Sequence, residues 1–492
     1  MNSKILHNRR EFVLGSAAAL TAIAGAKRLV GQGTASQLIL TPLPDPLKNC
    51  NVIWDASAFG YQVDEYLVSG SGTTFKPIDA TEAGKIDRVD KSKPWGQRDT
   101  EYDVNRPADF SPRPQTGTGS YITRIIVYRP RDMNKFSGNV IVEPFHSAGS
   151  IEVFTVVNRF LLTRGDAVVH IDIPGRFPNV KKFAPERYAK LSMPDRSVFW
   201  SSVSQVATLL RTGGSNSPLP VPARYLYMTG YSGSSDTTSI FAGYHHRLTR
   251  MPDGSPVFSG YLPMSHLLPL PPIDAVVVTC ATQTDYLGAT DGSTPATRAF
   301  RLLFNSDAPD ARRRRFELPG AFHTPFQAAE PGMAIPLHDR DSSAQFLNCK
   351  ATVKWPEAAE PHHLPNRAML EACFHHASRW AESNIAPPSA PLMETDADGN
   401  LVKDADGNVK GGMRFPDIAV PAETFVSGSG DCSGTGYSLP FSREKLVTLY
   451  GTREKYLALY DGAADRLVQQ GYILPEGAAD LKTNRRWLAP VF

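Results

Sequence analysis

A chain of 492 residues, 41% of them hydrophobic, can bury a large core, which excludes a disordered or fibrous protein. Its 38 glycines and 40 prolines are scattered through connecting segments, as in a loop-rich globular chain. The formal charge of +3 carries one long single-sign run, Arg312 to Arg315, which leads straight into an apolar stretch and reads as a solvated lead-in to a strand. No nucleic-acid or other polyanionic partner is expected.

The first residues have the three parts of an export signal. Lys4 and Arg9-Arg10 supply charge, residues 14–26 an apolar core, and Ala24-Gly25-Ala26 a small-residue cleavage site. The paired arginines before Glu11-Phe12-Val13 resemble the twin-arginine type, which carries folded proteins; an ordinary secretory signal is the alternative. Removing 1–26 leaves a charge of about +1 and a periplasmic or secreted protein without a stable membrane span. Cys50, Cys280, Cys349, Cys373 and Cys432 show neither metal-ligand spacing nor a disulfide framework. A protein folded before export meets a reducing compartment first, so no obligatory disulfide is expected, though a single later pair is compatible.

Residues 27–115 read as an irregular extension carrying one alternating strand at 61–68. From Tyr121 an α/β rhythm begins, marking a catalytic region over 116–492. Strands are expected at 121–130, 138–143 and 167–173, with helices at 153–162 and 198–210. The stretch 224–238 is a strand running into the small-residue turn Gly230-Tyr231-Ser232-Gly233-Ser234, and a helix follows over 239–250. Further strands fall at 275–281 and 315–319. Strands alternating with helices specify right-handed crossovers and an α/β fold with a mostly parallel sheet. An insertion over about 330–440 carries a helix at 369–382, and helices at 443–450, 453–470 and 476–486 pack on the core. Within the insertion, Asp396-Ala-Asp-Gly-Asn400 recurs as Asp404-Ala-Asp-Gly-Asn408. Its glycine is fourth, where a calcium loop needs it sixth, so two hairpin turns are expected. With no phosphate loop, zinc spacing or dinucleotide fingerprint, no metal or other cofactor is expected.

Strand, tight turn and helix with an apical serine form the nucleophile elbow of α/β hydrolases. The apical residue is strained, so its neighbours two positions away must be small; Gly230 fits, and Ser234 stands where a glycine is usual. A serine needs a base to take its proton and an acid to orient that base, in the chain order Ser, acid, His. Asp285 follows the strand 275–281, with Asp291 in reserve, and His323 follows the strand 315–319. His245, His246, His375 and His376 lie within helices and read as packing or surface residues, and His266, His338, His362 and His363 lie in proline-rich loops. An oxyanion hole needs two backbone N–H groups: Gly233 supplies one, and position after the strand 138–143 nominates Phe145, then His146.

These residues resemble the bacterial family of alpha/beta hydrolase domain proteins, many of them exported. Tyr66-Leu-Val-Ser-Gly70, Val140-Ile-Val-Glu143, Pro185-Glu-Arg-Tyr188, Gly411-Gly-Met-Arg414 and Tyr472-Ile-Leu-Pro475 echo its sequence blocks, from about Tyr61 to the C-terminus. The resemblance implies the α/β-hydrolase fold and hydrolase chemistry, with Ser232 as nucleophile, Asp285 as acid and His323 as base. Three positions depart from the family: Gln283 replaces a usual Glu, Pro144-Phe-His146 a usual Trp-Leu-Asn, and Ser232-Gly-Ser234 a frequent Ser-Gln-Ser. The combined expectation is an exported serine hydrolase acting on a small-molecule carboxylic ester. An amidase or acyltransferase on the same triad, or a binding protein that keeps the fold without catalysis, are the alternatives.

Overall fold

Side chains alternate across nine strands, and that alternation sets two buried layers. The structure, a computed structural model, describes residues 38–45, 56–76, 113–146, 153–265, 270–287, 301, 304–323, 342–361, 364–429, 432, 434–487 and 492. The expected export signal, Asp291, and His266, His338, His362 and His363 lie outside the described residues. The strands of the main sheet are β1 (Ile39–Leu43), β2 (Tyr61–Lys76), β3 (Arg113–Pro130), β4 (Asn139–Pro144), β5 (Ala167–Ile171), β6 (Tyr225–Tyr231), β7 (Gly260–Met264), β8 (Ile273–Thr282) and β9 (Ala311–Leu318), in the order β1-β2-β3-β5-β4-β6-β7-β8-β9. From β5 to β9 every pairing is parallel, while β1, β2 and β3 extend the sheet antiparallel. Strands on both sides of the expected boundary near residue 115 therefore share one sheet.

Near-continuous apolar runs mark strands buried on both faces. Leu226 and Met228 of β6 join Val140, Val142 and Val169 on one face. Tyr227 and Tyr231 join Ile141, Val168 and Leu262 on the other. The first face is covered by α1 (Phe199–Thr212), which places Val203, Val206 and Leu210 on one side at helical spacing. It stops at Gly213, whose φ of 70° ends the helical run. The second face is covered by a helix Val153–Arg164, through Val157 and Leu161, and by Arg367–Ser383, through Leu370, Phe374 and Trp380. Each such fully buried aliphatic or aromatic side chain contributes roughly 1.5–3 kcal/mol.

Arg312 to Arg315 are not a solvated lead-in. β9 begins at Ala311 and carries the run into the sheet, where Arg313, Arg314 and Arg315 are buried. The charge is matched locally: Glu317 accepts from Arg315 Nε at 2.7 Å and from Arg301 Nε and Nη2 at 2.5 and 2.6 Å. Burial alone would raise the Glu317 pKa, but Arg315 and Arg301 overcome it and hold the carboxyl below its ordinary value. Arg314 lies over the Trp380 ring and donates to Pro387 O, while Arg313 donates to Pro271 O.

Both Asp-Gly-Asn runs close hairpin turns: Asp396 N–H donates to Asn400 O at 2.9 Å, and Asp404 N–H to Asn408 O at 2.8 Å. Cys349 and Cys432 form a disulfide across 83 residues. No helix among the described residues is long and apolar enough to cross a membrane.

Candidate active site

β6, β8 and β9 end on one edge of the parallel sheet, and each delivers one polar side chain there. Ser232 follows β6 directly, Asp285 lies three residues beyond β8, and His323 lies five beyond β9. Ser232 has φ 55° and ψ −127°, a conformation that costs a residue with a Cβ about 1–3 kcal/mol. Its surroundings enforce it. A Cβ on Gly230 would lie 2.2 Å from Ser234 O, so the turn closes only around glycine. Ser234 Oγ accepts from Tyr231 N–H at 2.9 Å and donates to Tyr231 O at 2.8 Å, so the residue standing in for the usual glycine stitches the turn. Ser265 Oγ accepts the Ser232 N–H at 3.0 Å. The helix α2 (Gly233–Ile240) then starts at once, six residues earlier than its expected start at 239, and passes into a π-helical turn at Phe241–His245.

Ser232, His323 and Asp285 form one hydrogen-bonded chain. Ser232 Oγ is 2.9 Å from His323 Nε2, and His323 Nδ1 is 2.5 Å from Asp285 Oδ1. A carboxylate acceptor at that distance keeps the proton on Nδ1 and leaves the Nε2 lone pair facing the serine hydroxyl. The second Asp285 oxygen accepts from Thr282 N–H at 2.7 Å and Thr282 Oγ1 at 2.8 Å, which fixes the plane of the carboxylate. Asp285 is fully buried and Ser232 nearly so. A proton can pass from serine to imidazole while the resulting cation faces a fixed anion.

Phe145 corrects the expected oxyanion donor. Its N–H donates to Ile171 O at 3.0 Å, continuing the β4–β5 pairing, and its ring stacks on His170 at 4.8 Å. The amide is thus spent in the sheet. His146, the next residue, is buried with Nε2 3.1 Å from where a Cβ on Gly233 would lie, against the first turn of α2. Gln283, which replaces the family's usual Glu, joins the acid and histidine loops. Its Oε1 accepts from Gly320 N–H at 2.8 Å and its Nε2 donates to Ser427 Oγ at 2.8 Å.

The helical histidines serve packing. His245 stacks on Trp200 at 4.8 Å, and burial pushes its pKa down to about 3. His246 bonds Tyr261 Oη and Asp274, and His376 bonds Gly471 O. The sequence did not nominate Ser265 as a partner of Ser232, nor Ser234 as a partner of Tyr231. Ser265 follows β7, a strand containing Gly260 and Pro263 whose composition hides it.

The family described as "Alpha/beta hydrolase domain" matches residues 30–483. The chain belongs to that family. This hydrolase is also similar to solved structures at low identity. S-formylglutathione hydrolase from Staphylococcus aureus is 11% identical, with 40% of this chain and 82% of that one covered and a TM-score of 0.25. Est1E from Butyrivibrio proteoclasticus is 12% identical, covering 41% and 86%, with a TM-score of 0.25. A truncated carbohydrate esterase from gut microbiota is 11% identical, covering 40% and 83%, with a TM-score of 0.26. None of the curated proteins compared matches the sequence.

Proposed function

We propose that this hydrolase is an exported serine esterase that cleaves small carboxylic esters through an acyl-enzyme. The observation that carries the reading is the unbroken chain Ser232 Oγ, His323 Nε2, His323 Nδ1, Asp285 Oδ1, with the serine at a strained strand-to-helix turn. Ser232 Oγ attacks the ester carbonyl as its proton moves to His323 Nε2. Asp285 holds the imidazolium. The tetrahedral oxyanion forms beside the first turn of α2, where the Gly233 N–H is one donor; the His146 amide is the second in this reading. Each such donor lowers the barrier by roughly 3–4 kcal/mol. Collapse expels the alcohol, which takes its proton from His323, and a water repeats the sequence to release the acid.

An ester is favoured over an amide because its alkoxide leaves with less help from the imidazolium acid. A panel of p-nitrophenyl esters of graded acyl length, run beside an amide and a lactone, tests this. Ester turnover is expected to dominate; faster amide turnover would reassign the enzyme as an amidase, and inertness towards every activated acyl donor would favour a binding protein. The Cys349–Cys432 disulfide fits an oxidising compartment. Replacing both Arg9 and Arg10 by Lys should retain the precursor in the cytoplasm; unchanged export would rule out the twin-arginine route.

A further inference from the structure

His323 lies beyond the end of β9, outside any helix or strand among the described residues. β9 ends at Leu318, the chain turns at Gly320 with φ 79°, and the histidine follows three residues later. A general base that wanders by an ångström loses much of its rate, so something must fix this backbone. The hydrogen bonds show what does. His323 N–H donates to Thr284 Oγ1 at 2.6 Å, and His323 O accepts from Tyr231 Oη at 2.8 Å. Thr284 is the residue before Asp285, and Tyr231 the residue before Ser232. The neighbours of the acid and of the nucleophile therefore hold the two ends of the histidine's own backbone.

Both hydroxyls are suited to this. Tyr231 and Thr284 are buried, so water competes poorly for either bond. Burial pushes the Tyr231 phenol well above its usual range, so it stays protonated and keeps donating. Its ring centroid lies 5.2 Å from that of His323, which limits tilt of the imidazole. Thr284 Oγ1 is 3.4 Å from Thr282 Oγ1, which itself donates to Asp285 Oδ2, so the clamp is continuous with the acid's own support.

We propose that Tyr231 and Thr284 are positioning residues that lock His323 between nucleophile and acid by gripping its carbonyl and its amide. The proposal rests on the triad reading and adds to it two residues that touch no substrate. Tyr231→Phe and Thr284→Val remove one hydroxyl each with little change in shape. Turnover is measured on a p-nitrophenyl ester and normalised to the fraction of molecules that a fluorophosphonate finally labels, so misfolded protein does not count.

Each single variant should lower kcat about tenfold with KM within about twofold of wild type. The double variant should lose about a hundredfold. Thr284→Ser, which keeps the hydroxyl, should recover most of what Thr284→Val loses; a purely structural role would instead lower the labelled fraction and leave kcat per labelled site intact. A double variant within about threefold of wild type per labelled site, or Thr284→Ser as impaired as Thr284→Val, would overturn the clamp. His323→Ala separates the two levels. If it is inactive while the double variant is fully active, the clamp alone fails; if it stays active, the triad reading falls and takes the clamp with it.

Discussion

Asp285→Asn tests the geometry most sharply, because the structure leaves the new amide no good orientation. In one orientation its oxygen faces His323 Nδ1 and its NH2 replaces Oδ2. That NH2 then meets the Thr282 N–H, a donor 2.7 Å from the present oxygen. Two donors face each other in a site with no exposure, a loss of about 1–3 kcal/mol, and the anion opposite the imidazolium is gone. In the other orientation the NH2 faces His323 across 2.5 Å, which forces Nδ1 to be the acceptor and puts the ring proton on Nε2. The base then presents N–H to Ser232 Oγ, where a lone pair is needed. Both arrangements disable proton transfer, so kcat should fall about 10³- to 10⁴-fold, equivalent to about 4–5.5 kcal/mol. KM should change little, since the carboxylate touches no substrate. Steady-state kinetics on one p-nitrophenyl ester, with unfolding curves to show retained fold, is the assay. Asp291→Asn should stay close to wild type. The reasoning fails if Asp285→Asn remains within about tenfold of wild type, or if Asp291→Asn is the more damaging.

The buried charges outside the site give two further expectations. Glu317→Ala strands the Arg301 and Arg315 guanidiniums without their shared carboxylate and should destabilise by about 3–5 kcal/mol in urea unfolding; a loss under about 1 kcal/mol would show that the pairs contribute nothing net. Glu371 has its pKa raised from 4.5 to about 7, chiefly by burial and further by Asp480 and Glu476, against Arg367 and Arg159. The folded state therefore binds more protons than the unfolded one between these values. The stability this group lends is complete below about pH 4.5 and is lost as pH rises through about 7. Glu371→Gln should gain up to about 3 kcal/mol relative to wild type on going from pH 4 to pH 8. A difference independent of pH would contradict the shift.

Local pattern carried much of this fold because the sheet is buried on both faces. Runs such as Val168-Val169 and Val276-Val277-Val278 announce parallel strands without reference to anything distant. The elbow was legible for the same reason: its turn chemistry is local. The order of serine, acid and histidine then singled out His323 from twelve histidines. What stayed hidden depended on partners far away in the chain. Arg313 and Arg314 look solvated until Pro271, Pro387 and Trp380 arrive to take them. Phe145 looks like an oxyanion donor until Ile171 takes its N–H. In the sequence Gln283 is only a departure from the family's usual Glu, yet its amide spans Gly320 and Ser427, a job visible only after folding. Pro263 and Gly260 mask β7, and with it Ser265, whose hydroxyl accepts the Ser232 N–H.

The central claim is that Ser232 is the nucleophile, and covalent labelling tests it most directly. Purified protein treated with a fluorophosphonate should gain one adduct mass per chain. Peptide mapping should place that mass on the peptide containing Gly230 to Ser234, with loss of ester turnover in step with labelling. Ser232→Ala should keep its fold, take no label and turn over no ester, whereas Ser234→Ala and Ser265→Ala should still be labelled. Full labelling or undiminished turnover in Ser232→Ala would contradict the account.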